Sequence, residues 1–270
     1  MNVFIWDMDE TLILLKSLLN SKYAEGFNGS KDIQKGIEIG KMWEEHILRV
    51  CDDYFFYEEI EHYNKPCLDA LSEYDDGRDL SGYDFAKDEF NPPYDDPNRR
   101  KLAYRHRLIA DKYTQGLHNV LDQEMIERWD ALYDMTDSYT DRWLSSARTF
   151  LEHCSGENNG LAPHVASSNV CTGTGYKNIN VLVTSGSLIP TLVKCLLFRL
   201  DDLFTHTNVH GKLESSNAFH GSRSVLVDQM SGSVRLGMDG KNVKLHRQWL
   251  GHSLELIHNL WVSTGSQVLQ

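Results

Sequence analysis

Hydrophobic positions change their spacing several times along the chain. Residues 2–6 (NVFIW) form a short apolar run, which predicts a buried strand. Residues 12–24 (LILLKSLLNSKYA) are dense in leucine and predict a helix after a DMDET turn. From about residue 31, Ile33, Ile37, Met42, Trp43, Ile47 and Val50 follow a period near 3.6, and Phe55, Phe56, Tyr57 and Ile60 prolong the run. Helical spacing resumes at RRKLAYRHRLIADKY and over 117–152, with Trp129, Leu132, Tyr133, Trp143 and Leu144 as expected core. Between these helices, residues 69–98 are acidic, punctuated by Gly and Pro, and studded with aromatic residues. Tyr74, Tyr83, Phe85, Phe90 and Tyr94 give that stretch something to pack, so it predicts a long ordered loop. Residues 153–177 are rich in Gly, Ser, Thr and Asn and predict a flexible loop.

A second strand is expected at 178–186 (NINVLVTSG), leading into SLIPTLVKCLLFRL, an amphipathic helix with Pro190 near its first turn. Strand, polar turn, helix repeats the grammar of the opening. Two such units imply a parallel α/β sheet, whose ligands sit at the carboxyl ends of the strands.

Asp7 and Asp9 stand at one such end. Alternate carboxylates after a strand can converge on a hard cation such as Mg²⁺. One could attack a phosphorus while the other handles the leaving-group proton. The alternative is an acidic helix start, where Asp, Glu and Thr are favoured anyway. The strand before and the DET tail weigh toward the first. At the other strand end, Thr184, Ser185 and Gly186 open a helix, where hydroxyl and amide groups can meet an anion. Alone, such residues are commonly a helix cap; beside DxDET they form the second wall of a phosphate pocket.

Composition narrows the field. The chain has 270 residues, 41% of them hydrophobic and 24% charged, which suits one large domain or a core with a large insertion. A net charge of −12 repels nucleic-acid backbones, so no direct nucleic-acid binding is expected. Cys51, Cys67, Cys154, Cys171 and Cys195 are five dispersed cysteines with no CxxC pair, which reads as reduced thiols in the cytoplasm or nucleus. Asp7 and Asp9 interrupt the first apolar run, so no signal peptide is expected. IPTLVKCLLF is too short to span a membrane and contains Lys194, so no membrane role is expected. The twelve histidines lack ligand spacing of the HExxH kind. The Arg99–Arg107 cluster is expected to be a solvated basic face, with greeting of a phosphorylated partner as the alternative.

WDMDET after a strand, a helical insertion, and VLVTS before a helix resemble the haloacid dehalogenase superfamily of phosphotransferases. FIWDMDETLILLKSLL, KMWEEHILRVCDDYFFYEEIE, YDDGRDLSGYDF, LAYRHRLIADKY, LDQEMIERWDALYDMTDSYTDRWLSSA and INVLVTSGSLIPTLVKCLLFRLDDLF resemble, more closely, the Eyes absent protein tyrosine phosphatases in their plant form. The likeness covers about residues 1–204. It implies an α/β fold: a haloacid dehalogenase-like parallel-sheet core (1–21 and 178–270) with a large all-helical cap insertion (22–152). It implies Asp7 as the nucleophile that forms an aspartyl-phosphate, and Asp9 as general acid and then base. Both would bind Mg²⁺, Asp9 through its backbone carbonyl. Thr184, with Ser185 at the helix start, would bind phosphate. The implied substrate is a phosphotyrosine protein. A non-catalytic binding module with protein partners in transcription is the alternative, and another small-phosphate hydrolase on the same fold is a third.

The resemblance stops near Asn208-Val209. The family's phosphate-neutralising lysine and its GDG turn with a further metal-binding acid are both missing, and Lys212 and Asp239 are not taken as substitutes. Back-translation suggests why. Residues 233–253 (SVRLGMDGKNVKLHRQWLGHS), with Met238 as ATG and Trp249 as TGG, read one base earlier, permit CAIGDGWKECEAAQTMAWPF. That string is similar to the family's metal-binding segment. KLESSNAF, shifted likewise, permits VGKFKCF, similar to its lysine segment. Residues 211–270 are therefore expected to be an out-of-frame tail, with a divergent tail as the alternative. The core would lose its later strands and the site a charge-stabilising group, the kind of loss that costs about 10²–10³ in rate. The chain as written is then expected to be a weak or inactive phosphatase.

Overall fold

The computed structural model describes residues 2–155 and 178–212, together with the strand backbones at 225–228 and 233–236. The chain starts in β1 (Asn2–Trp6), turns at Asp7–Leu14, and enters α1 (Leu15–Leu19) and α2 (Lys22–Glu25). The single helix expected over 12–24 is thus two short ones. Ser21 between them takes a left-handed backbone, φ 64°, which no continuous helix tolerates. A long helix α3 follows (Ile33–Phe55), started by Asp32, whose carboxylate accepts the Lys35 amide at 3.1 Å. Its apolar period would carry on through Ile60. Phe56, also left-handed at φ 58°, stops it, and α4 (Tyr57–Ile60) begins in a new direction.

The acidic stretch is an ordered loop with short 3-10 turns at Leu68–Tyr74 and Phe85–Lys87. Next come α5 (Asp96–Gln115), α6 (Gln123–Tyr139) and α7 (Trp143–Ser155). Asp95 and Asp122 accept amides of Asn98 and Met125 at 2.9 and 2.8 Å, so each helix begins at its own capping carboxylate. Every regular element between residues 22 and 152 is helical. Helix α7 continues through Ser155, three residues into the stretch expected as loop; residues 156–177 lie outside those described.

After them come β2 (Asn178–Val183), α8 (Leu188–Leu197) and a two-residue strand β3 (Val209–His210). The sheet order is β1-β2-β3 and all pairing is parallel, with Trp6 opposite Leu182 and Leu182 opposite Val209. Two further strands, β4 (Val225–Asp228) and β5 (Ser233–Leu236), pair antiparallel with each other and form a separate sheet. The chain is therefore mixed α/β with a small parallel sheet. Asp239 lies outside the described residues, as does most of the segment expected to be out of frame.

One continuous apolar core joins the sheet to the helices. Trp43 on α3 stacks 4.3 Å from Phe198 and donates its Nε1–H to Thr136 Oγ1 at 2.7 Å. Trp129 on α6 donates to the Leu197 carbonyl at 2.6 Å. Such indole bonds let large side chains bury without an orphaned donor. Gly40 lets α3 approach the α1 backbone: a Cβ there would lie 2.9 Å from the Leu19 nitrogen. No helix among the described residues is long and apolar enough to cross a membrane.

The basic stretch at 99–107 departs from expectation. Arg105 is 1% exposed and bonds Asp88 and Glu59, with its guanidinium over the rings of Phe90, Phe85 and Phe56. Arg107 pairs with Asp75 and Arg99 with Asp96. The stretch is therefore a solvated basic face only in part: Arg100 is exposed, while Arg105 is buried and Arg107 partly so. Arg105 and Arg107 turn their charge onto Asp88 and Asp75 of the acidic loop before it.

Candidate active site

Asp7 is the first residue beyond β1, and Thr184 is the first beyond β2. Because Trp6 pairs with Leu182, parallel register puts Asp7 opposite Val183 and one step short of Thr184. Adjacent parallel strands therefore deliver a carboxylate and a hydroxyl to the same edge of the sheet, at their carboxyl ends.

The turn after β1 is built around one carbonyl. Met8, 1% exposed, accepts the amides of Thr11, Leu12 and Ile13 at 3.2, 2.9 and 3.2 Å. The amide of Glu10 closes back on Ile13 at 2.7 Å, and Glu10 takes φ 60° to do so. With Met8 pinned inward, its neighbours Asp7 and Asp9 turn outward: Asp7 is exposed and Asp9 half-buried. Glu10 is spent on structure. Its carboxylate accepts the amides of Lys16 and Ser17 at 2.8 and 3.1 Å, starting α1.

Asp7 makes a weak bond with the Thr11 hydroxyl, 3.4 Å to Oδ2. Partial burial pushes its carboxyl above the ordinary aspartate value and the Asp9 carboxylate adds to this; the Met8 amide, the Thr11 hydroxyl and the Lys194 ammonium oppose them. Asp9 forms an ion pair with Lys194 of α8, Oδ1 to Nζ 2.7 Å. The sequence pattern missed this lysine as a site residue. The signal was there: Lys194 is the one charge in SLIPTLVKCLL, a helix otherwise apolar in its lower turns.

Across the sheet edge, Thr184 is 6% exposed. Its amide donates to the His210 carbonyl at 3.0 Å, and its Oγ1 accepts the Gly186 amide at 3.1 Å. That acceptance leaves the hydroxyl hydrogen to donate elsewhere. Ser185 beside it is exposed. The first amide of α8, on Leu188, is already taken by Asn64 Oδ1 at 2.8 Å. The Thr184 and Ser185 hydroxyls remain as groups at this turn that could meet an anion. The Lys212 amide donates to the Gly186 carbonyl at 2.9 Å, so the chain after β3 runs against this turn. Gly211 permits it: a Cβ there would lie 2.9 Å from the Leu188 nitrogen and 3.2 Å from the Gly186 oxygen.

Two carboxylates facing one lysine leave the β1 end with surplus negative charge and hard oxygen donors. That set fits Mg²⁺, which takes one or two carboxylates and keeps several waters. Among the described residues no group of three or more His, Cys, Asp or Glu side chains could hold a metal. By the resemblance, the residues that would hold Mg²⁺ here are Asp7, through its carboxylate, and Asp9, through its backbone carbonyl.

No family model matches the chain. Individual relatives do. Protein phosphatase EYA of Arabidopsis thaliana is 56% identical over 216 residues, covering 79% of this chain and 68% of that protein. Protein phosphatase eya of Drosophila melanogaster is 34% identical over 77% of this chain and 27% of its own length. Protein phosphatase EYA2 of Homo sapiens is 31% identical over 94% of this chain and 49% of its own length. The chain thus spans about two thirds of the plant relative and half or less of these two animal ones. On the strength of the plant match, the chain belongs to the Eyes absent protein phosphatases.

Proposed function

We propose that the chain is built as a Mg²⁺-dependent protein tyrosine phosphatase on a haloacid dehalogenase-like core, with the helices of 22–152 as its cap. The observation that carries this reading is the placement of Asp7 and Thr184, one register step apart, at the carboxyl ends of adjacent parallel strands. In the proposed reaction a carboxylate oxygen of Asp7 attacks the phosphorus of a phosphotyrosine protein. The P–O bond to the tyrosine breaks, and Asp9 gives the departing phenolate its proton. Asp9 then takes a proton from water, whose oxygen attacks the aspartyl-phosphate and frees phosphate and Asp7. Thr184 and Ser185 hold the phosphoryl oxygens throughout. Mg²⁺, held by Asp7 and the Asp9 carbonyl, would neutralise phosphoryl charge.

Hydrolysis of a phosphotyrosine peptide should require Mg²⁺ and vanish in Asp7→Asn. Restoring the frame after about codon 211 should raise the rate roughly 10²–10³-fold, the usual worth of a charge-stabilising group. Activity without Mg²⁺, or activity that survives Asp7→Asn in the restored chain, refutes the reading. A chain that captures transcriptional partners equally well with and without Asp7, and hydrolyses nothing in either frame, is a binding module instead. The proposed setting for either role is the cytoplasm or nucleus.

A further inference from the structure

Lys194 is out of place by composition. Leu188, Ile189, Leu192, Val193, Cys195, Leu196 and Leu197 on α8 are all buried. An ammonium among them must run its stem along apolar surface and find a counter-charge, or it destabilises the helix it sits on. Lys194 is 17% exposed, and its Nζ lies 2.7 Å from Asp9 Oδ1. Among the described residues no other lysine or arginine forms an ion pair with Asp7 or Asp9. The bond spans 185 positions of sequence and ties α8, the helix that follows Thr184, to the turn that carries Asp7. The contact thus adds a side-chain tie between two halves of the candidate site that the β1–β2 pairing already brings together.

We propose that Lys194 is a positioning residue that keeps the Asp9 carboxylate anchored to α8 and out of the metal's coordination. The inference rests on the phosphatase reading above. The Asp9 side chain and the Asp7 side chain leave the same turn, and both are oxygen donors that a hard cation would accept. A carboxylate that ligates the metal is no longer free to carry a proton to a leaving group. Lys194 offers the Asp9 carboxylate a competing partner. It thereby reserves metal binding for the Asp7 carboxylate and leaves the Asp9 carboxylate unligated. If the ion pair only fastens the fold, losing the lysine lowers stability and leaves kcat of the folded chain unchanged.

Metal affinity and kcat together separate the two cases. Mg²⁺ alone is titrated calorimetrically into the full chain, into Lys194→Met, Lys194→Arg and Asp7→Asn, with circular dichroism confirming that each is folded. Lys194→Met should bind Mg²⁺ about tenfold more tightly, since a unit positive charge leaves the neighbourhood and a carboxylate joins the ligands. Lys194→Arg, which keeps a cation for Asp9, should stay close to the original affinity. In the frame-restored chain Lys194→Met should lower kcat with little change in KM. Mg²⁺ binding that Asp7→Asn abolishes but Lys194→Met leaves unchanged or weakens overturns this inference alone. Mg²⁺ binding that is absent, or indifferent to Asp7→Asn, overturns the metal reading and this inference with it. Should Lys194→Met fail to fold, Lys194→Gln serves, with the same sign required.

Discussion

Replacing Arg105 with methionine should cost about 3–5 kcal/mol, the usual consequence of removing one partner of a buried ion pair. Arg105 Nη1 bonds Asp88 Oδ2 at 2.7 Å and Nη2 bonds Oδ1 at 3.2 Å, while Nε bonds Glu59 at 2.9 Å. The guanidinium also sits 4.5 Å from the Phe90 ring centre. Methionine fills similar volume, so the cost comes from charge. The Glu59 side chain is 46% exposed and returns to water with little loss, but that of Asp88 is only 4% exposed. Asp88 keeps two bonds, from the Tyr83 hydroxyl at 3.1 Å and the Phe90 amide at 3.0 Å, which favours the lower half of the range. The assay is urea unfolding at pH 7, comparing midpoints at a common slope. Arg105→Met with Asp88→Leu removes both charges and should recover most of the loss. Acid provides an independent check. Burial alone would push the Asp88 carboxyl up, but Arg105, with the Tyr83 hydroxyl and the Phe90 amide, outweighs it and holds it below the ordinary value. A carboxyl lowered in the folded state contributes stability above its unfolded value and loses it as pH falls through the folded one. The gap between wild type and Arg105→Met should therefore narrow below the ordinary aspartate range. A cost under about 1 kcal/mol at pH 7, or a double variant no more stable than Arg105→Met, would refute the reasoning.

Four further outcomes are expected. Gly211→Ala forces a Cβ to 2.9 Å from the Leu188 nitrogen and should destabilise by about 1–3 kcal/mol in the same assay. His46 and His106 are pushed down to about 4, both chiefly by burial, so the unfolded chain binds protons they do not; stability should be full above pH 6.5 and decline toward pH 4. His46→Leu should flatten that decline at little cost at pH 7, because the buried His46 Nε2 lacks a hydrogen-bond partner among the described residues. Sequencing the messenger RNA across codons 205–245 should reveal a base gained or lost near codon 211; a message that encodes the chain as written makes the tail genuine and the frame argument wrong.

The two strand ends were legible because they are local: a short apolar run, then DMDET or TSG, then a helix. Parallel pairing of the two runs follows from that grammar, and the register then brings Asp7 within one step of Thr184. Helix limits were less legible. Nothing in the apolar spacing of 12–24 or 33–60 marks the left-handed turns at Ser21 and Phe56, because that spacing continues through both. The hidden contacts were the distant ones. Lys194 reads locally as a charge that interrupts an apolar helix, and only the fold shows the Asp9 carboxylate it meets. Arg105 likewise reads as one member of a basic run, and only the fold turns it inward onto Asp88.

The pairing of β1 with β2 sets a timetable. Trp6 donates its indole N–H to Asn180, 174 positions later. At synthesis rates of about 5–20 residues per second, β1 leaves the ribosome roughly 9–35 s before its neighbour exists. During that interval the strand has no parallel partner among the elements already made. Helices α1 and α3 are made in the meantime, and Leu14 and Leu18 beyond the Asp7 turn can pack on Ile39 and Trp43 in the same core. Assembly of the sheet edge is therefore a late event, waiting on a helical body already in place. Conditions that slow translation between codons 33 and 178 would lengthen the exposure of an unpaired apolar strand, and holdase chaperones would find it there.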